Sequence, residues 1–187
     1  MVGFEAGKPC SLDGEKMSVR EVIEKLDVIA GRNGYGRLDQ IENRLVGIKS
    51  RECYEVPRGL ALITAHKALE DLRLERELLH YKLGLEHKWA ELVYYGLWYS
   101  PLKIALDAFF AATQQSVTGE VRLRFFKGTC TVTGRRSPNS LYDYSLATYD
   151  EGDTFNRDSA AGFIEQWGLP SKVWARQRKQ AGVEGQI

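Results

Sequence analysis

The apolar residues of this chain change their period once. From Pro57 to about Gln115 they recur at helical spacing, and from Val121 they alternate. Leu60, Ile63, Leu69, Leu72, Leu78, Leu79 and Leu83 form the helical series, with Glu75, Arg76 and Glu77 outside it and Gly84 and Gly96 as candidate interruptions. Ser100-Pro101 supplies an N-cap and first-turn pair for a further helix through Leu106 and Phe109. Then Val121, Leu123 and Phe125 alternate with Arg122 and Arg124, Lys127-Gly128 turns the chain, and TCTVTG follows, which reads as strand, turn, strand. Helices lie before and after this hairpin instead of alternating with strands. The expected class is therefore α+β, with helices flanking an antiparallel or mixed sheet.

The amino-terminal stretch VGFEAGKPCSLDGEK reads as short extended pieces around turns. Ser18 and Glu21 make a capping box ahead of a stripe of Val19, Val22, Ile23, Leu26 and Ile29, and Gly31 is expected to close that helix as a left-handed cap. Residues 37–56 mix charged and aliphatic side chains without a clean period, so an extended or irregular path is expected. Ser159 to Trp167 reads as a short helix, Gly168-Leu169-Pro170 as a break, Ser171 onward as a last helix, and AGVEGQI as a frayed end.

Composition narrows function by exclusion. The 26 basic and 25 acidic residues leave a net charge of +1, which argues against a dedicated nucleic-acid binder. No apolar run approaches the roughly 20 residues that span a bilayer, and no secretory signal is visible. Cys10, Cys53 and Cys130 fit neither a disulfide framework nor a zinc site and read as reduced, packed thiols of a cytoplasmic protein. The glycines of GRNGYG follow a helix instead of opening one, so a phosphate cradle is disfavoured there. His66, His80 and His87 have no metal-ligand spacing and read as solvated or half-buried helix positions.

The segment IENRLVGIKSRECYEVP, residues 41–57, packs Glu42, Asn43, Arg44, Lys49, Ser50, Arg51 and Glu55 beside aliphatic chain. Mixed charge in such a place means either a salt-bridge network or a site for a zwitterionic ligand, and chemistry alone favours the network. The longer run GYGRLDQIENRLVGIKSRECYEVP resembles the carboxy-terminal half of argininosuccinate synthases. The likeness continues through LITAHKALEDLRLERE, AELVYYGLWYSPL, VTGEVRLRFFKGTCTVTGRRSPNSLYD and YDEGDTFNRDSAAGFIEQWGLP, departing at Arg58, Gly59 and the last dozen residues.

The resemblance implies a carbon–nitrogen ligase of arginine biosynthesis and the urea cycle, joining citrulline to aspartate as ATP, with magnesium, becomes AMP and diphosphate. In that family an amino-terminal nucleotide-binding domain holds ATP and most of the aspartate contacts, and it has no counterpart in these residues. The expected organisation is a synthetase-like domain over 1–170 and a helical oligomerisation tail over 171–187, in a homotetramer. A family glutamate and a tyrosine twelve positions later match Glu42 and Tyr54, which makes these two the citrulline-binding residues; no residue is assigned a catalytic, cofactor or metal role. The alternative is a stand-alone, non-catalytic oligomerisation or small-molecule-binding module of the same fold. With no phosphate-cradling loop in view, the chain by itself is expected to bind no ATP and to make no argininosuccinate. Calorimetry with ATP and magnesium should give no saturable heat, and turnover by the isolated chain would contradict the expectation.

Overall fold

The computed structural model describes residues 1–147 and 154–182. By contacts the chain divides into two compact units, residues 1–142 and 143–187. The first unit holds β1 (Val2–Glu5), β2 (Lys8–Leu12), β3 (Glu15–Lys16), α1 (Val19–Arg32), β4 (Arg37–Asn43), β5 (Lys49–Glu55), α2 (Pro57–Arg73), α3 (Arg76–Tyr94), α4 (Pro101–Gln114), β6 (Gly119–Phe126) and β7 (Thr129–Arg136). The second holds α5 (Tyr144–Ala147), α6 (Asp158–Trp167) and α7 (Leu169–Gln180). This is an α+β fold, and among the described residues its strand pairs are all antiparallel.

The main sheet runs β3-β2-β1-β6-β7, so the first strand of the chain sits in the middle, paired with β6 through Val2↔Val121. Val2, Phe4, Leu12 and Val121 from the sheet meet Val22 and Leu26 of α1 and Ala65, Ala68 and Leu69 of α2 in one core. Leu69 is fully buried, and its truncation to alanine belongs to the class of core deletions that cost roughly 2–5 kcal/mol. The expected hairpin is present: Val121, Leu123 and Phe125 turn inward, Arg122 and Arg124 outward. Lys127 and Gly128 both take positive φ (45° and 80°), as a two-residue primed turn requires.

Several local expectations need correction. The buried line of α1 is Val22, Leu26 and Ala30, while Val19 and Ile29 are exposed. On α2 the buried face is Ala61, Ala65, Ala68 and Leu69, with Ile63 exposed, so alanines supply most of that buried apolar line. Gly31 is helical, and the left-handed residue after α1 is Gly34 at φ 71°. Gly84 lies inside α3 and interrupts nothing. The break falls at Leu74, whose backbone is extended, and at Glu75, whose carboxylate caps α3 by accepting from the backbone N–H groups of Glu77 and Leu78. Gly168 ends α6 and α7 begins at once, with Pro170 in its first turn. Cys10 and Cys130 are half-buried but Cys53 is exposed, so it does not pack. The frayed end expected from Ala181 lies outside the described residues from 183 onward. Among the described residues no helix is long and apolar enough to cross a membrane.

Of the extended or irregular path expected over 37–56, the extended reading holds, and the two extended pieces form an ordered hairpin. Strands β4 and β5 pair from Arg37↔Glu55 to Asn43↔Lys49, and Val56 N–H closes the base by donating to Gly36 O at 2.8 Å. Gly36 sits at φ 100°, and a Cβ there would lie 2.3 Å from Pro57 Cα and 2.5 Å from Pro57 N. Gly47, at the hairpin tip, has φ 87° but open space around it. Gly36→Ala should therefore combine backbone strain with a clash against rigid backbone and lower stability by about 1–3 kcal/mol, more than Gly47→Ala. Chemical denaturation of both variants checks the order.

Candidate functional site

The side chains of β4 and β5 sort onto two faces. Leu38, Gln40 and Glu42 stand opposite Tyr54, Glu52 and Ser50 on one face; Arg37, Asp39, Ile41 and Asn43 stand opposite Glu55, Cys53, Arg51 and Lys49 on the other. The second face is exposed and carries ion pairs Arg37–Glu55 (3.2 Å) and Arg51–Asp39 (2.7 Å). The first is half-buried at Leu38, Glu42, Ser50, Glu52 and Tyr54, and it holds both residues that the sequence singled out.

Glu42 and Tyr54 are brought together. The Tyr54 hydroxyl donates to Glu42 Oε1, and the Glu42 side chain is only 17% exposed. Glu42 Oε2 is buried without a hydrogen bond, although Arg44 Nη1 lies 3.0 Å away. That contact is charge against charge without an aligned N–H. Arg44 follows the end of β4 and folds back over this face, where its Nε donates to Ser50 Oγ at 2.7 Å and its Nη2 donates to Glu52. Its Nη1 also reaches the Tyr94 hydroxyl at the end of α3, 3.3 Å away.

The electrostatics follow from these contacts. The hydrogen bond to the Glu42 carboxylate, then burial, raises the Tyr54 phenol above its ordinary 10.0, so it stays protonated at neutral pH. Hydrogen bonds to Tyr94 and then to Glu52 hold the Arg44 guanidinium charged. Hydrogen bonds from Arg44 and then Ser50 hold Glu52 below its ordinary 4.5. Two carboxylates, Glu42 and Glu52, thus share one guanidinium, and the cluster carries one negative charge in excess.

Sequence reasoning missed how Ser50, Glu52 and Tyr94 join this cluster. Once a strand is assumed on each side of Arg44–Ile48, the period of two puts Ser50, Glu52 and Tyr54 on one face. Tyr94 had no signal, because it arrives from a helix 50 residues away. The network that chemistry alone favoured is present, and its central cation is Arg44.

A second polar cluster lines a cavity of about 630 Å³ between Phe4, Leu62, Trp89 and Phe110, and neither Glu42 nor Tyr54 belongs to it. Glu70 is 1% exposed and Lys82 5%; Lys82 Nζ lies 3.1 Å from Glu70 Oε1 and also donates to Glu86. Gln114 donates to Glu70 at 2.6 Å and meets His66 Nε2 at 2.8 Å. A desolvated pair of this kind needs such added bonds to offset its burial, and they tie α2, α3 and α4 together. His80 and His87 are exposed, and no three His, Cys, Asp or Glu side chains among the described residues converge to hold a metal ion.

Comparison with known proteins identifies the family of the chain. The family model described as "Arginosuccinate synthase C-terminal domain" matches residues 1–174. The chain belongs to the argininosuccinate synthase family. It is similar to the argininosuccinate synthase of Symbiobacterium thermophilum, 57% identical over 178 residues, which covers 95% of this chain and 44% of that protein. Against those of Synechococcus sp. strain JA-3-3Ab and Rubrobacter xylanophilus the identity is 55%, covering 97% and 93% of this chain and 45% and 42% of theirs. The chain therefore spans less than half the length of the curated relatives it matches, and the match falls on their C-terminal domain.

The hairpin's acid behaviour is testable. Asp39 is held below its ordinary 3.8, mainly by its hydrogen bonds from Arg51, and Glu52 below 4.5. Depressed folded values mean that both contributions are complete above those ordinary values and are lost as pH falls through the depressed ones. Carboxyl 13C NMR should find both groups titrating low, and Arg51→Gln should return Asp39 to its ordinary range while leaving Glu52 depressed on the opposite face.

Proposed function

We propose that this chain is the citrulline-side part of an ATP-dependent argininosuccinate synthase acting in the cytoplasm in arginine biosynthesis. In this reading citrulline is bound by Glu42 and Tyr54, while aspartate, ATP and magnesium are bound by the nucleotide-binding domain that the family carries elsewhere. The observation that supports it best is the Tyr54–Glu42 pair on a half-buried face with one uncompensated negative charge. Citrulline offers an α-ammonium, which suits that charge through a charge-assisted hydrogen bond. Because Tyr54 donates its own proton to Glu42, its oxygen lone pairs remain to accept from the same ammonium, and its ring gives the methylene chain a flat apolar wall.

Neither residue moves a proton in this reading. They bind and orient, so that a neutral ureido group is presented in one place to whatever activates it. Activation at the ureido oxygen is what ATP supplies, and holding the substrates together makes the second step effectively unimolecular. Assembly as a homotetramer is part of the same reading. Neither α6 nor α7 has a buried residue, while Phe163, Trp167 and Trp174 are exposed, and Phe163 and Trp167 stack at 5.5 Å. Such helices suit docking on a neighbouring subunit.

Glu42→Gln keeps the shape but replaces a charged acceptor with a neutral one. In a full-length enzyme carrying this sequence as its C-terminal part, citrulline affinity should fall by ~1.5–3 kcal/mol, roughly ten- to hundred-fold. Tyr54→Phe should cost less, about 0.5–1.5 kcal/mol, and ATP affinity should stay nearly unchanged in both. Glu42→Gln will also lower the melting temperature, since Arg44 loses a charged partner. Calorimetry with citrulline is therefore the deciding measurement: a lower melting point with unchanged citrulline affinity would leave Glu42 a scaffold residue.

A further inference from the structure

One side chain reaches every element that meets at the candidate site. Arg44 contacts Glu42 from β4, Ser50 and Glu52 from β5, and Tyr94 from the last turn of α3. A guanidinium presents its N–H groups in a fixed planar fork, so its hydrogen bonds to Ser50, Glu52 and Tyr94 hold it in one orientation and set its charge in one place, 3.0 Å from Glu42 Oε2; a lysine ammonium is a point charge without that fixed plane. The carboxylate of Glu42 is thereby gripped from two sides, Oε1 by the Tyr54 hydroxyl and Oε2 by the charge of Arg44. If Arg44 served only to neutralise the hairpin, Glu52 would give it a sufficient partner. The contact with the already hydrogen-bonded Glu42 and the span to α3 are then unexplained.

We propose that Arg44 is the positioning residue of the citrulline pocket: it fixes the plane of the Glu42 carboxylate for the ligand's ammonium group and sets that plane relative to the end of α3. The proposal rests on the citrulline reading of Glu42 and Tyr54 given above. Without the guanidinium, Glu42 and Glu52 repel each other across the strand pair with no cation between them, and Glu42 turns toward solvent and away from Tyr54. The ligand would then have to order a loose carboxylate on binding, and affinity would fall although no group that touches citrulline had changed.

Two measurements test this. In the chain labelled with 13C at the tyrosine Cζ, with the Tyr54 signal assigned through Tyr54→Phe, the phenol should ionise above its ordinary 10.0. If Arg44 positions Glu42, Arg44→Gln releases the carboxylate and the Tyr54 titration moves down toward 10.0. If Arg44 is only a nearby cation, its removal leaves the hydrogen bond in place and moves the titration further up. An upward shift, or none, overturns the proposal. In the full-length enzyme, Arg44→Lys keeps the charge and loses the fork, and citrulline Kd should rise by about tenfold, or ~1.4 kcal/mol, with ATP affinity unchanged; an unchanged citrulline Kd likewise overturns it. If Glu42→Gln leaves citrulline binding intact, the citrulline reading fails, and the Tyr54 titration still decides whether Arg44 positions Glu42.

Discussion

Everything in the first unit depends on the pairing of β1 with β6. Val2 meets Val121 across that ladder, so two segments more than a hundred residues apart form the centre of the sheet. Closing a loop of that size costs little more than closing one half as long, because the entropy grows only with the logarithm of length. What offsets the cost is the burial of Val2, Phe4 and Val121 against α1 and α2, each apolar side chain contributing roughly 1.5–3 kcal/mol. The closure is reinforced beyond the strands, where Gly7 N–H donates to Val117 O and Ala6 N–H to Thr118 Oγ1. At the far end of the sheet Gly128 N–H donates to Asn33 O, and Tyr35 packs on Phe125, so the exit from α1 is fixed against the β6–β7 turn. The β4–β5 hairpin starts immediately after that anchor.

The hairpin therefore has a rigid base and two unlike faces. Its outer ion pairs are exposed, and pairs of that kind are worth about 0–1 kcal/mol each. Its inner face is half-buried, where the same charges act in a lower dielectric and hold geometry more than they add stability. The cluster around Glu70 and Lys82 is the contrasting case. It is far more deeply buried, each oxygen of Glu70 has a donor, and Glu86, which shares Lys82 with Glu70, also lies 3.9 Å from Lys67 Nζ, so two carboxylates meet two ammonium groups while the cluster knits three helices. That difference is why the hairpin, and not the cavity, is the better place for a charged ligand.

Features written in a few adjacent residues were legible. The capping box of Ser18 and Glu21, the N-cap at Ser100 and the turn at Lys127-Gly128 all formed as their chemistry requires. The β4–β5 hairpin was not legible, because neither strand alternates apolar with polar residues: one face is charged and the other is a mixture of Leu38, Tyr54 and buried charge. On α1 and α2 the sequence found the buried Val22, Leu26 and Leu69 but not the buried alanines beside them, because an alanine carries a weak hydrophobic signal. At the site, residue chemistry led to a network and went no further. The pairing of Glu42 with Tyr54 as ligand contacts came from family resemblance, and the approach of Tyr94 needed the tertiary fold.

The charges along β4 and β5 also guard against misassembly. Sliding one strand by a single residue would turn Glu42 or Tyr54 outward and dismantle the cluster. Sliding by two would keep the faces but, in one direction, set Glu42 directly opposite Glu52 and Asp39 opposite Glu55. Like charges facing each other across a strand pair are destabilising. In the other direction the hairpin forfeits Leu38 against Tyr54 and the direct pairing of Arg37 with Glu55. A two-stranded ribbon with little apolar surface has few other means of choosing its alignment, so the acidic residues of the hairpin also act as proofreaders of the strand pairing that brings Glu42 and Tyr54 together.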